Sequence, residues 1–467
     1  MSNTKTHILV FPYPAQGHML PLLDLTHQLA LQNTFTITII ITPKNLPILN
    51  PLLSSHPNTI KTLVFPFPSH PKIPSGAENI RDVGNTGNYP FINALSNLQS
   101  PIIQWFNTHS NSPVALISDF FLGWTQQLAT RLGIPRIVFY SSSTFLVAVI
   151  NCCWSNPLLL QSKEVVEFPE LPGKPSFKYE HLPSLVLRYR ESDPESEFVR
   201  ESFISNAASW GFVLSTCKAL DGRYLDYMQA QFGNNRVYIV DPLGTIRVDV
   251  DLDGGSDVLS WLDRLEEEGS VVYVCFGSQK LLRREQMEAL AFGLEKSGTQ
   301  FVWVVKEPST VEQIEKGYGL VPEGFEEQVS GRGIVVRGWA PQKAILGHRV
   351  VGGFLSHCGW NSVLEAVVAG VGILGWPMEA DQFVNAKMLV EDMGVAVRVC
   401  EGADSVPDPD ELGRVISGVM SESSRLKKRA KLMKEEAIGD VGKDDISPNE
   451  LHEFVEALKQ LGVKEES

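Results

Sequence analysis

Polar side chains crowd two places in the stretch Trp339–Gln382, each where an apolar run gives way to a helical pattern. Ser356, His357, Asn361 and Ser362 stand at the first, and Glu379, Asp381 and Gln382 at the second. The runs Val350–Ser356 and Gly372–Gly375 read as strands. The helices that follow are expected at Trp360–Ala369 and from Asp381 to just before Gly394. Polar groups at the carboxyl ends of parallel strands mark the ligand edge of an open α/β sheet. Gly359–Ser362 also opens a helix, whose first N–H groups have no partner inside it and whose dipole favours an anion, most naturally a phosphate. A metal fits less well, because no second His or Cys pair lies at ligand spacing from His357-Cys358.

The N-terminal half offers a second pair. His18 follows the strand His7–Pro12 and the loop Tyr13–Gln16, and Asp119 comes straight after the strand Val114–Ser118. Both then stand at one edge of one sheet, where a carboxylate bonded to an imidazole fixes its tautomer. Each has a plainer reading. His18 alone is as readily a helix N-terminal histidine, and Asp119 a cap for the helix after Phe121.

The elements that must hold these residues alternate between strand and helix. Further strands are expected at Phe35–Thr42, Ile60–Phe65 and Arg136–Phe139, with helices at Met19–Leu31 (Pro21 in its first turn), Asn93–Asn107 and Gly123–Leu132. Pro66–Gly87 reads as an irregular loop, residues 145–210 lose the period, and strands resume at Phe212–Ser215 and Val237–Val240. After the acidic, Gly-rich Gly244–Ser256, a second unit runs through Val271–Phe276, Arg284–Lys296, Gln300–Val305 and Gly333–Val336. Lys306–Arg332 reads as a surface excursion, and Asp408–Met420, Arg425–Ala437 and Asn449–Leu461 as closing helices. Alternation of this kind predicts an α/β fold with parallel, doubly wound sheets. The expected domains are 1–243, a linker 244–256, 257–446, and a C-terminal helix in 447–467 that returns to the first domain, with ligands between the two sheets.

A chain of 467 residues is long for one core. Its hydrophobic content of 43%, charged content of 20% and net charge of -14 describe an ordinary soluble protein. The charge argues against nucleic acid or an anionic membrane as partner, though not against a small phosphorylated ligand. The first apolar run is too short for a signal peptide, and no stretch approaches the roughly 18 residues of a membrane span. The six cysteines show no metal or CxxC spacing. A cytoplasmic monomer without an integral membrane segment is the expectation.

These residues resemble the plant family 1 of UDP-dependent glycosyltransferases, which act on small lipophilic acceptors. The resemblance is carried by the 44-residue stretch Trp339–Gln382, with WAPQ at Trp339–Gln342, HCGWNS at His357–Ser362, Glu365, Trp376-Pro377 and Asp381-Gln382. Gln16-Gly17-His18, Asp119 and Phe276-Gly277-Ser278 add to it, so it spans nearly the whole chain. Pro66–Gly76 and Ile41–Asn45 are similar to the flavonoid 7-O-glycosyltransferase subgroup. Two departures stand out. Gly372 replaces a usual Pro, which loosens a turn, and Asp241 replaces a common Gly ahead of the linker.

The resemblance implies two facing Rossmann-like domains (the GT-B fold) and transfer of glucose from UDP-glucose, a donor substrate, with no cofactor and no metal. It makes His18 the base and Asp119 its orienting partner. Trp339 then stacks on uracil beside Ala340, Gln342 lies near the ribose, and Glu365 accepts from the ribose hydroxyls. Ser278, His357, Asn361 and Ser362 hold the phosphates, with Gly17 close by. Asp381 and Gln382 take the sugar hydroxyls, Asp381 doubling as an N-cap. Trp360 and Gln382 fit a glucose preference, and Ser141 reaches the 6-hydroxyl. Tyr13, Phe120, Phe121 and Trp154 are candidate walls for an apolar acceptor, or ordinary core. Another UDP-sugar (galactose, xylose or rhamnose), a C-glycoside or glucose ester product, a UDP-sugar isomerase and a non-catalytic binder are the alternatives.

Overall fold

The computed structural model describes residues 5–162, 164–233, 236–240, 255–442 and 447–462. The chain divides into two units, Met1–Asp249 with Asp440–Ser467, and Val250–Gly439. Asp241 and most of the expected linker lie outside the described residues, and the helix Gly255–Asp263 occupies the linker's last two positions.

The first unit is built on β1 (Thr6–Phe11), β2 (Phe35–Ile41), β3 (Ile60–Val64), β4 (Ala115–Asp119) and β5 (Arg136–Tyr140). A small hairpin of β6 (Val165–Glu167) and β7 (Ser176–Lys178) follows, then β8 (Gly211–Ser215) and β9 (Val237–Val240). Seven strands form one sheet in the order β3-β2-β1-β4-β5-β8-β9, and every pairing in it is parallel. Helices cover both faces of such a sheet, so its central strands are apolar on both sides, and β4, β5 and β8 are buried at every position. The helix Gln16–Leu31 packs Leu22, Leu25 and Leu29 against Ile8, Ile37 and Ile117. Each such aliphatic side chain contributes roughly 1.5–3 kcal/mol by leaving water. Phe454, Val455 and Leu458 of the helix Ser447–Gly462 enter the same core, and Glu450 accepts from the Ile239 N–H at 2.8 Å.

The second unit repeats the plan with β10 (Val271–Cys275), β11 (Gln300–Val305), β12 (Gly333–Arg337), β13 (Val351–Ser356), β14 (Gly372–Gly375) and β15 (Ala396–Arg398). The order is β12-β11-β10-β13-β14-β15, again parallel throughout. In both sheets the winding direction reverses at one neighbouring pair, β1/β4 in the first and β10/β13 in the second. Crevices at the carboxyl ends of those pairs are where such sheets bind ligands.

Several sequence expectations need correction. The helix expected at Met19 begins at Gln16, which places Pro21 in its second turn. Asn93–Asn107 is two helices, Asn88–Ser96 and Gln99–Thr108, not one. Residues 145–210 are largely regular: Thr144–Ser155 and Pro194–Ser205 are helices. The first of these is buried at ten of its residues, and a helix that is apolar all round shows no period to read. Within Lys306–Arg332, Phe325 and Val329 are buried in the second core, so that segment is anchored as well as exposed. Gly372 does not loosen a turn. It opens β14 opposite Gly353, and a Cβ there would lie 3.1 Å from Leu426, which packs over it.

Candidate functional site

Asp119 is the last residue of β4, and His18 lies in the first turn of the helix that follows β1. Pairing of β1 with β4 (Phe11 opposite Ser118) brings the two together although 101 residues separate them. His18 Nδ1 lies 3.1 and 3.0 Å from the two Asp119 oxygens. A buried carboxylate can only accept, so Nδ1 carries the proton and Nε2 presents its lone pair. The Asp119 side chain is fully buried, whereas His18 keeps 20% of its surface exposed. Asp119 Oδ1 also accepts from the Phe121 N–H at 2.8 Å. One carboxylate therefore bonds the imidazole and caps the turn at Phe121.

Aromatic rings enclose the imidazole. Phe120 stacks on it at 5.3 Å, while Phe121 and Tyr13 meet it edge-on at 4.4 and 5.3 Å. Tyr13 donates its hydroxyl to Asn88 Oδ1 at 2.8 Å, and burial pushes its pKa well up, so it stays a phenol. Trp154 stands one layer behind, against Phe203 at 4.6 Å, and Phe203 in turn packs on Phe120 and Phe121. Phe203 lay in the segment without period, and nothing in the sequence marked it. Ser141, just past β5, is buried and its hydroxyl has no partner among the described residues. Gly17, one residue before His18, is exposed.

In the second unit Cys275, Ser356 and Gly375 end β10, β13 and β14 side by side. The turns that follow are held in an unusual backbone: φ is +76° at Gly277, +63° at Cys358 and +59° at Ala380. Residues with side chains occupy that region at a cost of order 1–3 kcal/mol, and such strain clusters at functional sites. Glycines make room for His357. A Cβ on Gly277 would lie 2.9 Å from its ring, and one on Gly359 would lie 2.5 Å away. Burial pulls the His357 pKa down to about 4, so the ring is neutral at ordinary pH. Its Nδ1 is buried with no partner among the described residues.

The two junctions are tied to each other. Asp381 Oδ2 accepts from the Trp360 N–H at 3.3 Å and from Asn385 Nδ2 at 2.6 Å, while Asn385 also donates to the Cys358 carbonyl at 2.9 Å. Asp381 occupies the N-cap position of the helix Gln382–Lys387, but its side chain caps nothing there. Its carboxylate bonds the Asn385 side chain of its own helix and the Trp360 N–H of the neighbouring one rather than a first-turn N–H of its own, a correction to the expected N-cap. Asn385 was missed, although its place four residues after Asp381 puts it on the same helix face. Gln382 Oε1 accepts from the Met378 and Glu379 N–H groups at 2.9 and 3.1 Å, leaving its Nε2 without a partner among the described residues.

Gln342 joins two other motif residues and Tyr273. Its Nε2 donates to Glu365 Oε2 at 2.6 Å and Ser362 Oγ at 3.1 Å, and Oε1 accepts from the Tyr273 hydroxyl at 3.3 Å. Trp339 is 39% exposed, unlike the buried Ala340 beside it and the buried Trp360. Ser278 is exposed and Asn361 half-buried. Among the described residues no three His, Cys, Asp or Glu side chains are placed to hold a metal ion, and no helix is long and apolar enough to cross a membrane.

Residues 237–418 match the family model of the UDP-glucoronosyl and UDP-glucosyl transferases. The chain is 53% identical to UDP-glycosyltransferase 89A2 of Arabidopsis thaliana over 91% of its length and 89% of that protein. It is 47% identical to flavonol 3-O-glucosyltransferase UGT89B1 of the same plant, over 98% of each. Among solved structures, Arabidopsis thaliana UGT89C1 complexed with UDP-L-rhamnose superposes with a TM-score of 0.80 at 34% identity, covering 97% of this chain and 99% of that one. A strained, glycine-lined strand–helix edge in one GT-B Rossmann-like unit, a paired histidine and aspartate in the other, and relatives this close over nearly full length assign the chain to the plant UDP-glycosyltransferases: it is a glycosyltransferase enzyme of that family.

Proposed function

We propose that the protein transfers glucose from UDP-glucose to a phenolic hydroxyl of a flavonoid or related small plant metabolite, with inversion at the anomeric carbon. The observation that carries this is the His18–Asp119 pair, with Nδ1 committed to the carboxylate and Nε2 left to accept a proton. In this reading Nε2 takes the phenolic proton as the oxygen attacks the anomeric carbon. Asp119 holds the tautomer and stabilises the imidazolium that forms, as in hydrolase triads. As the new bond to the acceptor oxygen forms, the anomeric carbon's bond to the phosphate oxygen breaks and UDP leaves, so a single displacement turns an α-linked donor into a β-glucoside. Tyr13, Phe120 and Phe121 give the acceptor an apolar seat against the base, with Trp154 supporting from behind.

The donor belongs to the second unit. Exposed Trp339 stacks on uracil, and Glu365, held by Gln342, accepts from the ribose hydroxyls. Ser278, His357, Asn361 and Ser362 donate to the diphosphate together with the N-terminus of the helix Trp360–Ala369. A neutral His357 suits this task, since its N–H donates without a proton change. In this reading Asp381 and the Gln382 side-chain amide take the sugar hydroxyls, and Ser141 the 6-hydroxyl.

A rhamnosyl donor is the second reading. It is favoured by the 34% identity to UGT89C1 and by 36% identity over 97% of the chain to flavonol 7-O-rhamnosyltransferase of Arabidopsis thaliana. A panel of UDP-glucose, UDP-galactose, UDP-xylose and UDP-rhamnose crossed with flavonols and simple phenolic acids decides between them. Products are read by mass and NMR. Transfer of glucose with β stereochemistry to a phenolic oxygen supports the first reading. Turnover confined to UDP-rhamnose replaces it, and epimerised UDP-glucose with no glycosylated acceptor removes the transferase reading.

A further inference from the structure

Beneath the Asp119–Phe121 corner lies a positive charge that the proposed chemistry leaves unused. Arg136 opens β5, the strand beside β4, and is buried along its whole length. Its Nε donates to Ser118 Oγ at 2.8 Å. Nη1 donates to Asn206 Oδ1 at 2.8 Å and Ser209 Oγ at 3.0 Å, and Nη2 to the Asp119 carbonyl at 3.3 Å. Asn206 carries the network on, donating Nδ2 to the Phe120 carbonyl at 2.9 Å. Two successive carbonyls of the corner are thus gripped, one by the guanidinium and one by its amide partner. The far side is closed as tightly: the Trp124 N–H donates to Ser202 Oγ at 2.8 Å, and a Cβ on Gly123 would lie 1.8 Å from the Ser202 carbonyl.

A guanidinium taken out of water needs compensation, and among the described residues no carboxylate bonds to this one. Neutral oxygens solvate it. Desolvation pulls its pKa down to about 10, against the opposing pull of Tyr140 and Asp119, so it stays charged over any working pH. Among the described residues, the ionisable groups facing Asp119 are His18, Tyr13, Tyr140 and Arg136. Both tyrosines are driven upward by burial and stay neutral. Asp119 is therefore the negative charge this buried cation has to face, and it is the group that orients His18.

We infer that Arg136 is a positioning residue for the His18–Asp119 pair: it anchors the corner that aims the Asp119 carboxylate at the imidazole and balances the charge there. The inference rests on the transferase reading of that pair. Asn206 is the second member of the device, holding the Phe120 peptide whose ring stacks on His18.

Arg136→Lys, Arg136→Gln and Asn206→Ala, with His18→Ala as the reference, test it through kcat, the KM of each substrate and the pH profile of kcat/KM. Arg136→Lys keeps the charge and loses the fork, so kcat falls about 10–100-fold with the UDP-sugar KM and the acid limb unmoved. Arg136→Gln also loses the charge. With one positive charge fewer beside Asp119, the His18–Asp119 pair holds its proton to higher pH, and the acid limb moves upward. Asn206→Ala lowers kcat about 3–10-fold without moving the limb. An Arg136→Gln protein that folds and keeps the wild-type limb overturns the charge role, because a purely structural arginine would not shift it. If Arg136→Gln fails to fold, the other two variants decide, and wild-type kcat in both overturns the inference. Full turnover by His18→Ala instead brings down the reading of the pair on which it rests.

Discussion

The two sheet edges are alike in topology and unlike in construction. At the edge of the first sheet, side chains hold side chains: Asp119 grips His18 across β1 and β4, and aromatic rings close around them. At the edge of the second, backbone makes the site, through turns at positive φ, glycines that admit one imidazole, and an aspartate that reaches a neighbouring helix end. The first site spans 101 residues of chain and one residue pair, whereas the second is packed mostly into Trp339–Gln382, with contributions from Tyr273, Gly277, Ser278 and Asn385. In the proposed reading the first edge does acid–base work, for which two side chains suffice, and the second holds a diphosphate, whose many donors around one small volume consecutive backbone supplies most densely.

Four tests bear on that division. The largest effect belongs to the first edge: His18→Ala should lower kcat by about 10³-fold or more, and Asp119→Asn by about 10²–10⁴-fold, with the Kd of UDP nearly unchanged by calorimetry. Matching losses of UDP affinity would collapse the distinction between the edges. At the second edge, Gly277→Ala forces a side chain into a left-handed backbone and against the His357 ring, and UDP should bind about 10–100-fold more weakly. Retained affinity would show that His357 does not depend on that glycine.

pH separates the edges by sign. Asp221, buried in the first unit beneath the start of the helix Thr144–Ser155, has its pKa pushed up to about 6 by burial. An acid with a raised folded pKa contributes stability below its unfolded value, and that is lost as pH rises from about 4 to about 6. His357 runs the other way: its lowered pKa makes stability fall as pH drops from about 6.5 to about 4. Each effect is on the order of 3 kcal/mol. Thermal melts from pH 4 to 7 should therefore show Asp221→Asn gaining most at the upper end and His357→Gln gaining most at the lower. The same slope in both variants contradicts the assignment. The smallest effect is at Trp339, where Ala should weaken UDP binding by about tenfold, the usual value of one stacked base. An unchanged Kd would take Trp339 out of the donor site.

Much of the fold was legible because its strands stand out as short apolar runs, the central ones buried on both faces. Val237–Val240, Gln300–Val305 and Gly372–Gly375 run between the residues that the sequence suggested. The helix Thr144–Ser155 escaped for a related reason: burial on all sides erased the period that would have shown it. The 3.6-residue pattern survives only where a helix has a wet face.

Amino-acid order alone determined the local features here: two runs of alternating strand and helix, the polar junctions of Trp339–Gln382, and a histidine and an aspartate each at a strand's carboxyl end. Nearest neighbours along the chain are enough to specify those. Tertiary structure decided what the side chains do. It bonded Asp119 to His18 as well as to the Phe121 N–H, joined Asp381 to the Trp360 N–H as well as to Asn385 of its own helix, and set Arg136 under the corner that carries Asp119. A hydrogen bond forms with whichever partner lies within about 3 Å, and between distant residues only the packing of the sheet settles which that is.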